Sequence, residues 1–459
     1  MINSFGTNVR DGLHHDHCSW FKAIVLAYPT IDIHQVTMIS IDKARHFVFS
    51  FCSTLVPRQI LVEEAVGYVI AEAPIAIEPV PRFDNSAMDG YALRARDVPF
   101  PLTRLRVIGE VMAGQIPPAV VGLGEAMRIM TGAPIPVGAD AVCMLEHTRL
   151  DDFRETVTIT QTVAKGTNIR RRAEETTPGD EVFAISTAIG PLHIGVLKSL
   201  GVDTIRVFPR PRVGVMSTGD EIVDGIEPLA EGKIRDANRP ALLAQIRADG
   251  WEAIDLGVVE DDESSLMEAF ENGSTRCDAI VTSGGVSVGD RDIVKSVLKE
   301  LCGETMRWMQ VAVKPAKPFA FGVLRESGIP VFGLPGNPMS AFVSYELFAR
   351  PAIRALAGHV DLDRPRVFAR CNKNIFRKRD GSVHVIQMRV GVDSDGALWA
   401  SPLVGLHSHA LRAMTEANAF ALLPDGEGAR VDELVEVVLL GTDNLWASRD
   451  FEPFEHREF

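Results

Sequence analysis

From Pro211 to Leu356 short apolar runs alternate with stretches of helical spacing, and this regularity restricts the fold more than any other feature of the chain. "RVGVMS" (212–217) reads as a strand, and "NRPALLAQIRADG" (238–250) as a helix with Asn238 as its N-cap and Gly250 past its end. "WEAIDLGVV", "ESSLMEAFENG", "DAIVTS" and "RDIVKSVLKEL" repeat the strand–helix order. "MQVAV" and "PVFGLP" follow as strands, and "NPMSAFVSYELFARPAIRAL" as a long helix. Such alternation predicts βαβ units and a mostly parallel, doubly wound α/β sheet covered on both faces. Ligands of these sheets bind beyond the carboxyl ends of the strands. Five strands end in "TGDE" (218–221), "EDD" (260–262), "GGVSVGDRD" (284–292), "KPAKP" (314–318) and "LPGNP" (334–338). Turn formation and helix capping explain any one of these loops, but poorly explain all five. A functional cleft on that rim is the expectation.

The contents of the loops suggest the ligand. Ser283, Gly284, Gly285, Ser287 and Gly289 form a stretch small enough for backbone N–H groups to close around a phosphate. The helix after it adds a positive dipole end, and Pro335, Gly336 and Pro338 open a second helix start. Lys314 and Lys317 are suitable point charges for an oxyanion. The run is neither a GxxxxGK[ST] phosphate loop nor a GxGxxG dinucleotide turn. Asp220, Glu221, Asp261, Asp290 and Asp292 approach the same rim and would repel a phosphate unless a divalent cation lay between them. Oxygen-only ligands beside phosphate suit Mg²⁺, with Glu221, Asp261, Asp290 and Asp292 as candidate ligands. For Asp290, helix capping is an equal alternative. Phosphate, Mg²⁺ and two lysines are the parts needed for phosphoanhydride chemistry.

The flanks divide differently. Residues 1–38 read as a tail, its "LHHDHC" run (13–18) included, and so do residues 446–459. Helical spacing from Ile39 to Ala73 (Phe47, Phe51, Leu55, Leu61, Ala65, Val69, Ile70) and again in "AIGPLHIGVLKSLGV" predicts a helical domain over 39–97 and 176–206. Alternating segments between Gly and Pro turns over 98–175 predict a β domain inserted into it. The α/β domain spans 207–360, and renewed alternation predicts a small C-terminal β domain over 361–445. A net charge of −14 excludes a general basic field for nucleic acid. Six scattered cysteines with no CxxC pair argue against disulfides and structural zinc. No secretory signal and no bilayer-length apolar run is legible, so the expectation is a cytoplasmic protein with no membrane partner.

Six motifs occur in series: "FDNSAMDGYALR" (83–94), "MRIMTGAPIPVGADAV" (127–142), "STGDEIV" (217–223), "TSGGVSVGDRD" (282–292), "KPAKPFAFG" (314–322) and "GLPGNPMSAF" (333–342). The series resembles the MoeA family of molybdopterin molybdenumtransferases, related through its C-terminal part to gephyrin, and runs from about Ile39 to Leu440. The resemblance implies a multidomain α/β plus β fold: an elongated helical domain carrying an inserted β domain, a molybdopterin-binding α/β domain and a C-terminal β-barrel-like domain. It implies a homodimer whose cleft is shared between subunits, with a molybdopterin adenylyltransferase and molybdoenzyme clients as partners. The implied reaction takes adenylylated molybdopterin and molybdate, with Mg²⁺, to molybdenum cofactor and AMP. Asp89 and Thr131 would enter the cleft from the N-terminal half, although Asp89 also fits a plain turn before Gly90. Glu221, Asp261 and Asp292 would serve metal and anhydride, Lys314 and Lys317 phosphate or molybdate. Ser283, Gly284, Gly285 and Ser287 would hold the pterin phosphate, and Pro335 and Pro338 would shape the molybdate end. The chain departs from the family pattern at Ala173 and Ala316, where Gly is usual, at Glu175 for Asp and at Gln310 for Lys. Adenylylation of molybdopterin by the α/β domain, or non-catalytic cofactor binding and delivery, are the alternative functions.

Overall fold

The computed structural model describes residues 38–151, 153, 155–286, 293–403, 414–426 and 428–441. The "LHHDHC" run, Ser287, Gly289, Asp290 and Asp292 lie outside the described residues. Helix α1 (Ile41–Phe49) begins at Ser40, whose hydroxyl accepts from the Lys43 amide at 3.3 Å. Ala44 and Val48, four residues apart on one face, are fully buried. They pack with Phe332, Tyr345 and Phe348 of the α/β region, not with the domain that follows in sequence. Backbone bonds from Ile39 N to Gln310 O (2.9 Å) and from Ala312 N to Ile39 O (2.8 Å) fix the same attachment.

The helical spacing expected to run on to Ala73 ends at Phe49. Leu61 closes strand β1 (Arg58–Leu61), and Val69 and Ile70 form β2. After β3 (Asn85–Ser86) come β4 (Gly90–Leu93), β5 (Thr103–Val111), β6 (Glu125–Ile129), β7 (Ala141–Met144), β8 (Thr148–Leu150), β9 (Thr156–Ile159) and β10 (Ile169–Arg170). Helix α2 (Pro191–Ser199) and β11 (Thr204–Phe208) complete the excursion. The first sheet has the order β1-β11-β2, and its core is Val62, Ile70, Leu197 and Val207. The N-terminal domain is thus less helical than its spacing suggests. Its inserted sheet has the order β7-β4-β6-β5-β9-β8 and recruits β4 from before residue 98, where the β domain was expected to begin. Gly90 permits that recruitment, because a Cβ there would lie 1.9 Å from the Cys143 carbonyl oxygen.

The α/β region contains β12 (Arg212–Thr218), the short β13 (Ile222–Val223) and β14 (Ile234–Arg235), α3 (Asn238–Ala248), β15 (Glu252–Val259), α4 (Glu263–Arg276), β16 (Ala279–Ser283), α5 (Ile293–Cys302), β17 (Arg307–Gln310), β18 (Val313–Lys314), β19 (Pro318–Val323) and β20 (Pro330–Leu334). The main sheet runs β15-β12-β16-β20-β19-β17. Its first four strands are parallel, whereas β19 is antiparallel to both β20 and β17. Two reversals leave β17 pointing the same way as β20, so all five loops leave the sheet at one edge. Buried Phe319 and Phe321 face the core that holds α1, while Ala320 faces the other side. That two-sided burial is why β19 shows no polar alternation. Helices α6 (Pro338–Ser344) and α7 (Arg350–Leu356) are joined through a π turn, Tyr345–Ala349.

The C-terminal strands are β21 (Arg366–Cys371), β22 (Ile375–Phe376), β23 (Val383–Val392), β24 (Leu398–Pro402), β25 (Ala419–Leu423), β26 (Gly428–Ala429) and β27 (Leu434–Leu439). The order β23-β24-β21-β27-β25 returns to β23, closing a five-stranded barrel. β18 joins it from the α/β region, with Lys314 opposite His384.

Candidate active site

Gly284 and Gly285 adopt φ of +103° and +66°, the left-handed backbone that glycine tolerates. A Cβ on Gly284 would stand 2.4 Å from the Thr218 carbonyl oxygen, and one on Gly285 2.6 Å from the Val294 side chain. Both glycines are therefore required by close approach, but the Gly284 amide is not a free donor: it binds the Leu334 carbonyl at 3.1 Å. That bond draws the loop after β16 against the loop after β20. Ser283 and Pro335 are buried, Gly336 is exposed, and Pro338 is the first residue of α6.

A third segment joins these two. Asn238, expected as the N-cap of α3, is instead its first helical residue, and Ala237 occupies the cap. Its side-chain amide donates to Ser283 Oγ (2.8 Å) and to the Gly336 carbonyl (2.7 Å). The neighbouring Arg239 is buried and ion-pairs with Asp224, Asp236 (2.8 Å) and Asp255. Asp236 in turn accepts from Ser217 Oγ at 2.9 Å. Neither Asn238 nor Arg239 stood out in the sequence as part of a site. Their partners lie up to 98 residues away, and no local spacing announces them.

The carboxylates gather at the ends of β12 and β15. The Asp261 amide donates to Asp220 Oδ1 at 3.2 Å, and the Lys233 ammonium donates to the Asp220 carbonyl. Glu221 is exposed beside them. Lys314 and Lys317 stand exposed on a turn closed by the bond from Val311 N to Lys317 O (2.7 Å). Ala316 between them has φ +83°, so the glycine-type backbone persists without the glycine. Ala173, the other position of that kind, has φ +60°. Lys314 Nζ approaches Asp380 Oδ2 at 4.0 Å, and His384 Nε2 meets the same oxygen at 2.9 Å. Asp380, also missed in the sequence, is held below the usual carboxylate range chiefly by the His384 hydrogen bond.

Asp89 and Thr131 form a separate pair on the inserted sheet. Both are exposed, and Asp89 accepts from the Thr131 amide and hydroxyl. Among the described residues no hydrogen bond or ion pair joins this pair to the rim of the α/β sheet. The structure thus brings together Ser283, Gly284, Pro335 and Gly336, and separately Asp220 with Asp261 and Lys314 with the barrel.

The chain matches three family models in order: the MoeA N-terminal region (domain I and II) over 39–201, the probable molybdopterin binding domain over 214–355, and the MoeA C-terminal region (domain IV) over 374–440. It is 35% identical over 392 residues to the molybdopterin molybdenumtransferase of Haemophilus influenzae, covering 85% of this chain and 96% of that one. A Staphylococcus aureus protein of the same name is 32% identical over 410 residues, covering 88% and 96%. Two structures of the molybdopterin biosynthesis MoeA protein from Pyrococcus horikoshii align with TM-scores of 0.74. They are 31% and 27% identical, covering 88% of this chain and 100% of theirs. The chain belongs to the MoeA family of molybdopterin molybdenumtransferases, transferases of molybdenum cofactor biosynthesis.

Proposed function

We propose that the chain cleaves the anhydride between pterin phosphate and AMP in adenylylated molybdopterin and places molybdenum from molybdate on the dithiolene. The observation that carries this reading is that a tightly packed glycine turn, a pair of neighbouring carboxylates and two exposed lysines all follow strands that end at one edge of the sheet. Ser283 and the Gly284–Gly285 turn hold the pterin phosphate. Lys314 and Lys317 attract the oxyanion. Glu221, Asp261 and Asp292 serve the anhydride.

Mg²⁺ fits these residues by donor chemistry, since carboxylate oxygens suit a hard cation. Among the described residues no three candidate side chains converge on one point, so Mg²⁺ at Glu221 and Asp261 would be completed by phosphate oxygens and water. When bound it would neutralise the bridging phosphates. The isolation of Asp89 and Thr131 from their own rim supports a homodimer in which they complete the partner's cleft. No helix among the described residues is long and apolar enough to cross a membrane. The reaction takes place in the cytoplasm, between an adenylyltransferase and molybdoenzyme clients.

The test supplies purified protein with adenylylated molybdopterin, Mg²⁺ and molybdate, and follows AMP. Release that depends on molybdate is expected, and none at any molybdate concentration would defeat the reading. Preference for tungstate would reassign the oxyanion. Sedimentation that finds only monomer at working concentration would remove the shared cleft.

A further inference from the structure

The first turn of α3 is braced more heavily than helix formation needs. Asp236 accepts from Ser217 at the end of β12, and Arg239 reaches Asp224 in the loop carrying Glu221 and Asp255 in β15. Between these anchors Asn238 spends both amide protons, one on Ser283 Oγ at 2.8 Å and one on the Gly336 carbonyl at 2.7 Å. A carboxamide NH₂ has two donors, so no further bond can be made from that nitrogen.

Two consequences follow for the phosphate end of the cleft. Because the Asn238 nitrogen is a donor, Ser283 Oγ must accept from it, and the Ser283 hydroxyl proton points elsewhere. Among the described residues no acceptor takes that proton. An oxyanion beside Ser283 would be such an acceptor. At Gly336 the carbonyl is turned toward α3, and peptide planarity then directs the following Asn337 amide to the opposite side. One side chain therefore sets the direction of a hydroxyl donor on one loop and of a backbone donor on another.

We propose that Asn238 is a positioning residue for the pterin phosphate, acting through Ser283 and the Gly336–Asn337 peptide. The proposal rests on the transferase reading and deepens it. Asn238→Asp keeps the shape but replaces the donor by an acceptor, so Ser283 turns its proton toward the carboxylate and the Gly336 carbonyl meets negative charge. Asn238→Ala removes the bridge without adding charge, and provides the measurement if the aspartate variant does not fold.

The experiment measures AMP release against adenylylated molybdopterin and, separately, against molybdate. Expected is a rise of about tenfold or more in the pterin KM, a factor equivalent to about 1.4 kcal/mol. The molybdate KM is expected to stay unchanged. A double-mutant cycle with Ser283→Ala supplies the readout that general loosening would not move: Asn238→Ala should cost much less in the Ser283→Ala background. An unchanged pterin KM, equal rises for both substrates, or fully additive effects would each overturn the proposal. Equilibrium dialysis of molybdopterin repeats the comparison without turnover. A parent protein that binds pterin yet releases no AMP therefore overturns the transferase reading alone.

Discussion

Asp89 Oδ1 accepts two hydrogen bonds of 2.7 Å from Thr131, one from the amide and one from the hydroxyl, across 42 positions of sequence. These bonds, the amide's first, hold the Asp89 carboxyl below the usual carboxylate range. A depressed carboxylate adds stability above its unfolded pKa and loses it as pH falls through the folded value. Thr131→Val removes the hydroxyl donor, and a carboxyl NMR titration should show Asp89 moving up toward its ordinary value. No movement would mean that the amide alone sets it.

The Lys314–Asp380 pair tests the barrel's influence on the oxyanion. Lys314 is 68% exposed, so solvent screens the 4.0 Å pair and its contribution is small. Asp380→Asn frees the ammonium and removes a negative charge from its surroundings. The molybdate KM should fall modestly, by less than about tenfold, and the difference should shrink at high salt. A rise in KM would show that Asp380 positions the lysine rather than competing for it.

Ala173 and Ala316 carry the same backbone strain in different surroundings. A left-handed conformation costs an L residue about 1–2 kcal/mol, while glycine adds about 0.4–1 kcal/mol of unfolded-chain freedom. Ala173 is half-buried, so Ala173→Gly should stabilise by about 0.5–1 kcal/mol. Ala316 is buried, and losing its methyl removes about 0.8 kcal/mol, leaving Ala316→Gly near neutral. Urea midpoints of the two variants check the order. Destabilisation by Ala173→Gly would contradict the strain argument.

His359 predicts a pH dependence. Burial pushes its imidazole down to about 4 from 6.5, with Arg354 and Arg350 adding to the effect and Asp361 opposing it. Arg354 also lies 3.2 Å from Nδ1. The unfolded chain therefore takes up a proton between these values that the folded chain refuses. This contribution to stability is complete above pH 6.5 and is lost as pH falls toward 4. His359→Gln should flatten that slope in urea unfolding. An identical slope in parent and variant would assign it to other groups.

The α/β alternation and the five loops at one edge were legible because strand ends, glycines and prolines are local signals. The spacing through Leu61, Val69 and Ile70 was misleading. Pro57 lacks the amide a helix would need and pushes Val56 toward extended backbone, so β1 starts at Arg58. Strand β19 was missed because it is buried on both faces and follows a turn rather than a helix. Asn238, Arg239 and Asp380 were invisible as a class: polar residues acquire such roles from partners on other loops. Their own neighbours in sequence do not reveal them.

Helix α1 has a consequence for the order of synthesis. Arg45 reaches the Leu347 carbonyl across 302 positions, and Phe47 meets Phe321 edge-on at 6.0 Å. At about 5–20 residues per second the nascent helix waits tens of seconds for these partners. Nine residues do not sustain a helix alone. The N-terminal and inserted sheets can therefore form on the ribosome while the segment preceding them is still unpaired. Completing the α/β layer then means that strands made long after α1 must recapture it across the domains folded in between.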